Sequence, residues 1–115
     1  MTDVLVPVPT HLWDDWIAEG DLPGDAATGD EYTYWLGGTP PQMRPGDRVY
    51  ICAHGKLRGY APLTSIVLIP GGFGLCRRGG AVACTIDEPI PGFWGFRYRF
   101  WPRDDERPFP AWRLP

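Results

Sequence analysis

The stretch "PGDRVYICAHGKLRGYAPL", Pro45–Leu63, decides the fold. Pro45-Gly46-Asp47 reads as a turn that launches a strand over Arg48–Ala53. Side chains alternate along a strand, so Val49, Ile51 and Ala53 share one face and Tyr50, Cys52 and His54 share the other. His54-Gly55-Lys56 reads as a hairpin turn in which Gly55 supplies the unusual backbone angles. Leu57–Leu63 then returns as a second strand, with Leu57, Gly59, Ala61 and Leu63 on one face.

Upstream, Val4–Pro9 reads as a short first strand, placed at an edge or a strand end by Pro7. Thr10 is the expected N-cap of a helix of about ten residues. Leu12, Trp13, Trp16 and Ile17 fall on one face of it, and Gly20 stops it. Asp14 and Asp15 lie in its first turns, where the dipole favours negative charge. Residues 21–30 are polar, acidic and glycine-rich and read as a loop. Glu31–Leu36 is aromatic-rich and reads as a strand, followed by a Gly37–Met43 connection. Downstream, Ser65–Ile69 reads as a strongly apolar strand and Ala81–Ile86 as another. Pro70–Gly74 is read as a glycine-rich loop. It lacks the Gly-Lys-Ser/Thr ending of a phosphate-binding loop, and no helix follows it. "GFRYRFW", Gly95–Trp101, reads as the last strand. Its alternation puts Phe96, Tyr98 and Phe100 in the core and Arg97, Arg99 and Trp101 on the wet face, the two arginines roughly 7 Å apart by strand rise. The proline-rich tail 102–115 is expected to form no regular element, with Phe109 and Trp112 docking on the body. These elements describe one domain over 1–115, of α+β class: a small mixed β-barrel of about six strands with one N-terminal helix packed on it.

The composition agrees. A chain of 115 residues with 43% hydrophobic and 22% charged residues builds one ordinary core. Glycine and proline are numerous, at 15 and 14, but six tryptophans supply the apolar surface that a disordered chain lacks. No segment approaches the ~18 apolar residues of a membrane span. The N-terminus has no positive region followed by an apolar run, so no secretory signal is expected. Cys52, Cys76 and Cys84 have no CxxC spacing and read as reduced, buried thiols. The expected compartment is the cytoplasm. Residues 1–43 carry eight acids and no Lys or Arg, whereas 44–115 carry all eleven bases and six acids. Such a basic part either attracts phosphates or packs against the acidic part and is neutralised.

The run Tyr34–Ile66 resembles the PUA-like superfamily, which includes the PUA, ASCH, EVE and YTH domains. Tyr34-Trp35-Leu36 is followed by "PGDRVY", Pro45–Tyr50, the entry into a barrel strand. "GKLRGYA", Gly55–Ala61, looks like the hairpin return these domains use. The resemblance implies a pseudo-barrel of five or six strands with helices closing one end. It also implies binding of RNA, or of a modified or flipped base, in a pocket between helix and barrel. The full glycine–lysine–acid–arginine signature of ASCH domains is absent, because Leu57-Arg58 follows Gly55-Lys56. No aromatic cage matches that of YTH domains position by position.

Recognition of single-stranded nucleic acid needs flat rings for stacking and cations for phosphates. Trp35, Tyr60 and Trp94 are the candidate stacking surfaces. Arg48, Lys56, Arg58, Arg97 and Arg99 are the candidate phosphate contacts, and His54 is a candidate base-edge donor. A tryptophan in a small domain is more often core than ligand wall, and a strand arginine is more often a solvated face. Catalysis has one visible base, His54, and no partner for it, so no catalytic residue is assigned. Zinc at Cys76 and Cys84 with Cys52 or His54 lacks the usual ligand spacing, so no metal or cofactor is expected. Asp104-Asp105-Glu106, between Arg103 and Arg107, reads as a self-neutralising loop. The leading function is thus a non-catalytic module for RNA or a modified or flipped base. The alternatives are a protein-interaction domain docking through its acidic N-terminal part, and a small hydrolase or nuclease of the ASCH type.

Overall fold

The computed structural model describes residues 1–18, 31–78 and 82–115. In chain order these form β1 (Val4–Pro7), a 3₁₀ turn (Thr10–Leu12), α1 (Trp13–Ala18), β2 (Glu31–Gly37), β3 (Arg48–Ala53) and β4 (Lys56–Ile69). β5 (Gly72–Arg78), β6 (Val82–Thr85), β7 (Arg97–Tyr98), a second 3₁₀ turn (Arg103–Asp105) and β8 (Arg107–Pro108) follow. The expected acidic loop 21–30 and the stop at Gly20 lie outside the described residues.

The strands form one mixed sheet in the order β2-β5-β4-β3-β1-β7, with β6 on β4 and β8 on β6. β1 runs parallel to β3; the other pairs among the described residues are antiparallel. Among the described residues the sheet does not close into a barrel. β2 and β1 approach each other, and the Tyr34 hydroxyl donates to the Pro7 carbonyl across the interval, but no strand pairing joins them.

β3 behaves as its alternation predicts. Val49, Ile51 and Ala53 enter one core with Val4, Val6, Phe73, Leu75 and Trp112, while Tyr50 and Cys52 enter a second with Leu5, Leu57, Cys84 and Trp101. Each wholly buried aliphatic side chain of this set contributes about 1.5–3 kcal/mol. The three cysteines are buried and unpaired. α1 lays Trp13 and Trp16 on the first core, as its spacing implies, with the two rings stacked at 5.2 Å and Trp112 edge-on to Trp16 at 4.6 Å. Leu12, in the preceding 3₁₀ turn, stays exposed. Pro9, not Thr10, takes the N-cap position of that turn, without a side-chain bond.

Four expectations are corrected. Leu57–Leu63 and Ser65–Ile69 are one fourteen-residue strand, because the chain passes through a register shift between Leu63 and Ser65 without breaking. Gly72 and Gly74 are not in a loop but inside β5. A Cβ on Gly72 would meet the Leu36 carbonyl oxygen at 2.4 Å, and one on Gly74 would meet the Thr33 methyl at 2.6 Å, so close strand approach demands both glycines. The final strand pairs only at Arg97 and Tyr98. Beyond it, the Arg99 N–H binds the Asp3 carbonyl and its guanidinium turns back onto the Asp3 carboxylate at 3.0 Å, which ends the alternation. Tyr98 and Phe100 are therefore exposed while Trp101 is buried, the reverse of the expected faces. The tail is also more ordered than its prolines suggest: β8 pairs with β6, and Trp112 is buried as expected.

Glu106 does not remain in a self-neutralising loop. Its side chain turns inward and accepts from the Tyr50 hydroxyl at 2.5 Å, Trp101 Nε1 at 2.9 Å and Arg48 Nη1 at 3.0 Å. Asp3, just before β1, plays the same part. It accepts from the Arg48 N–H, Arg99 Nε and both Arg103 Nε and Nη2, at 2.9–3.0 Å. Much of the basic C-terminal part is thus consumed inside the fold.

Candidate functional site

A cavity of about 590 Å³ occupies the interval where the sheet fails to close. Its walls come from four separate segments: Pro7–Thr10 from the end of β1, Tyr34–Leu36 of β2, Cys52–Gly55 at the β3–β4 turn, and Ile90–Gly95. Main-chain bonds fix three of them together. Val8 N–H donates to the Cys52 carbonyl and Ile90 N–H to the Gly55 carbonyl, both at 2.8 Å. The Tyr34 hydroxyl holds the fourth to Pro7. Burial pushes the Tyr34 hydroxyl above its ordinary pKa, so it serves as a neutral donor.

The lining is apolar and aromatic. Trp35 is 55% exposed and Trp94 99% exposed, at the tip of the glycine-flanked run Pro91–Gly95. The two rings leave apolar surface bare beside the cavity. Phe93, the residue before Trp94, packs against the second core, with the Arg97 guanidinium over its ring at 4.6 Å from the centroid. His54 completes the wall. It holds φ at +52°, the only non-glycine positive φ among the described residues, and its ring meets the edge of Trp13 at 5.4 Å. Such a conformation costs a non-glycine residue about 1–2 kcal/mol, less for histidine than for bulkier types. The Cys52 thiol, which also lines the cavity, is pushed up to about 12, chiefly by burial, and is therefore protonated at neutral pH.

Of the residues singled out in the sequence, Trp35, His54 and Trp94 line this one cavity, and Arg97 stands at its side. The others lie elsewhere. Arg48 is ion-paired with Glu106 and stacked over Tyr60 at 4.0 Å. Arg99 is held by Asp3. Lys56 borders a second cavity of about 470 Å³ with Asp87, Arg107 and Phe109. Arg58 is corrected from a surface cation to an interior strut. It is 1% exposed, and its guanidinium donates to the carbonyls of Ala53 and Trp112 at 3.0 Å and to that of Leu114. Burial lowers its pKa from the ordinary value.

The interval between α1 and the sheet, where the resemblance places a pocket, is filled by Trp13, Trp16 and Trp112. The open cavity lies beside it, past Pro9 and Thr10. Sequence reasoning found Trp94 but missed Tyr34, Phe93 and the rest of the Ile90–Gly95 wall. The signal for the last was present in "PGFWG", Pro91–Gly95: two aromatics between glycines, with no strand period to bury them. Among the described residues, no group of three or more His, Cys, Asp or Glu is placed to hold a metal ion. No helix of the described residues is long and apolar enough to cross a membrane. No family model, curated protein or solved structure matches the chain.

Proposed function

We propose that this domain is a non-catalytic recognition module that takes an unpaired or flipped nucleobase of RNA, modified or not, into the cavity between β1 and β2. The observation that carries this reading is the wall itself. Two exposed tryptophans, Phe93 and His54 surround a cavity with no carboxylate in it, which suits a flat, uncharged, unsaturated group. Stacking on such rings is worth about 1–3 kcal/mol per base. Arg97 stands over the ring of Phe93, a lining residue, and no acid among the described residues pairs with it. Since Arg48, Arg99 and Arg103 are committed to buried carboxylates, the phosphate contribution is small.

Titration with short single-stranded RNA and DNA, with and without modified bases, at several salt concentrations tests the reading. Micromolar binding with a shallow salt slope, about −0.7 for each phosphate engaged, is expected for one or two contacts. Loss of all micromolar binding refutes it. A slope steeper than about −3 would place the strand on some other, strongly basic surface.

A second reading, a protein-interaction domain, is favoured by a different region. Val67, Leu68 and Ile69 are all exposed near the β4–β5 turn, and no charged residue occurs from Tyr60 to Cys76. An uncharged apolar ridge of this kind suits an apolar protein surface and repels nothing. The hydrolase reading has less support: His54 meets Trp13, and no carboxylate among the described residues is paired with it.

A further inference from the structure

Among the described residues β2 is an edge strand, with β5 on one side and no strand on the other. Three consecutive β2 residues, Tyr34, Trp35 and Leu36, line the cavity. Consecutive side chains point to opposite faces, so a cavity touching all three runs along the strand's edge and not over one face. The main-chain groups that β2 turns away from β5 therefore point into it.

The register identifies those groups. In an antiparallel pair, residues that exchange hydrogen bonds alternate with residues whose N–H and C=O point outward. Gly38 N–H donates to the Gly71 carbonyl at 3.0 Å, so Gly38 and Gly71 form a bonded pair. Stepping back by twos along the register makes Leu36–Phe73 and Tyr34–Leu75 bonded pairs as well. Trp35–Gly74 and Gly37–Gly72 are then the unbonded pairs. The close approach of the Leu36 carbonyl oxygen to Gly72, 2.4 Å from where its Cβ would stand, independently shows the Leu36 carbonyl aimed at β5. The N–H and C=O of Trp35 consequently face the cavity, and no partner for either is present among the described residues.

We infer that the Trp35 main chain is the reading edge of this site, and that it recognises the donor–acceptor edge of an unpaired base. The inference rests on the nucleobase reading and adds to it the atoms that bind. A strand residue presents its N–H and C=O side by side and parallel. That is the complement of an adjacent acceptor and donor, such as the O4 and N3–H of uracil or the O6 and N1–H of guanine. The indole of Trp35 projects from the sheet face, while the same residue's main chain points along the sheet plane into the cavity. Trp94 and Phe93 supply the stacking wall. An edge strand normally blunts its free groups with charge or proline, yet β2 carries neither from Tyr32 to Gly37, which leaves the edge open for use.

Two comparisons test this. The first sets oligouridylate against the same oligomer methylated at N3, which removes the donor and leaves the ring able to stack. Roughly 10- to 100-fold weaker binding of the methylated strand is expected, the worth of a bidentate contact. The second sets Trp35→Pro against Trp35→Ala. Both remove the indole, and only proline removes the N–H. Proline is tolerated on an outward-facing edge position, so both variants should fold, whereas Tyr34→Pro, which removes a bond to β5, should unfold. The proline variant should bind at least fivefold more weakly than the alanine variant. If Trp35→Pro itself fails to fold, the register argument is wrong and the inference falls. Equal binding of methylated and unmethylated strands overturns it while leaving the base-stacking reading intact. Absence of binding by either strand removes both, and capture of an extended peptide in place of the oligomers reassigns the edge to strand addition.

Discussion

Arg58 provides the sharpest test of what the structure reassigns. As a surface cation it would bind phosphate, and its loss would weaken nucleic-acid binding with little effect on stability. As an interior strut it does the opposite. Its guanidinium donates to the carbonyls of Ala53, Trp112 and Leu114 and lies between the rings of Trp13 and Phe109, each at 5.2 Å. Hydrogen bonds to a charged group are worth about 1.5–3 kcal/mol each, but neighbouring bonds from one group are not additive. The exposed Leu114 carbonyl can turn to water, leaving two buried acceptors and the lost packing. Arg58→Ala should therefore cost about 3–5 kcal/mol, a large share of the 5–15 kcal/mol that such a domain has. Arg58→Lys should lose most of this too, because an ammonium cannot span three carbonyls from one planar fork. Urea unfolding monitored by tryptophan fluorescence gives the stability. Limited proteolysis should show cleavage within 109–115 at denaturant concentrations where the body is intact. A variant within 1 kcal/mol of the parent, with weakened oligonucleotide binding, would refute the reasoning and restore Arg58 to the surface.

Trp94→Ala should leave the urea midpoint unchanged, within about 0.5 kcal/mol for so exposed a residue, while weakening oligonucleotide binding by about 1–3 kcal/mol in a fluorescence titration. Gly74→Ala should destabilise by about 1–3 kcal/mol, since its Cβ would lie 2.6 Å from Thr33 and 2.9 Å from the Trp35 ring, and thermal unfolding measures it. Acid stability depends on Asp3. Burial pushes its pKa up, but hydrogen bonds and charge from Arg103, the Arg48 N–H and Arg99 outweigh this and hold it below the ordinary 3.8. A depressed folded pKa gives stability that is complete above the unfolded value and lost as pH falls through the folded one. Urea midpoints should therefore drop below about pH 4, and Asp3→Asn, less stable at pH 7, should show a flatter decline over that window.

The β3–β4 hairpin was legible because its alternation is strict and its turn chemistry local. The same rule misled at Gly95–Trp101, where an ion pair to Asp3, 96 residues distant, overrides the period. β5 was hidden by its glycines, which local propensity counts against a strand and which only the crowding by Thr33, Trp35 and Leu36 explains. Trp35, His54 and Trp94 were recognisable as ring-bearing candidates from their types. Their meeting was not, because four segments from residue 7 to residue 95 build the cavity. Charge was the least legible quantity. Arg48, Arg58, Arg99 and Arg103 look alike in sequence, and only the fold shows which buried acceptor each one serves.

The bond from Arg58 to the Trp112 carbonyl spans 54 residues of chain. At synthesis rates of about 5–20 residues per second, Arg58 is made roughly 3–11 s before the carbonyl that it serves. Through that interval β3 and β4 can already pair and the Ala53 carbonyl is in place for Arg58, while the first core still lacks Trp112 and the guanidinium lacks its Trp112 and Leu114 acceptors. The first core of this domain is thus incomplete until Trp112 has been made.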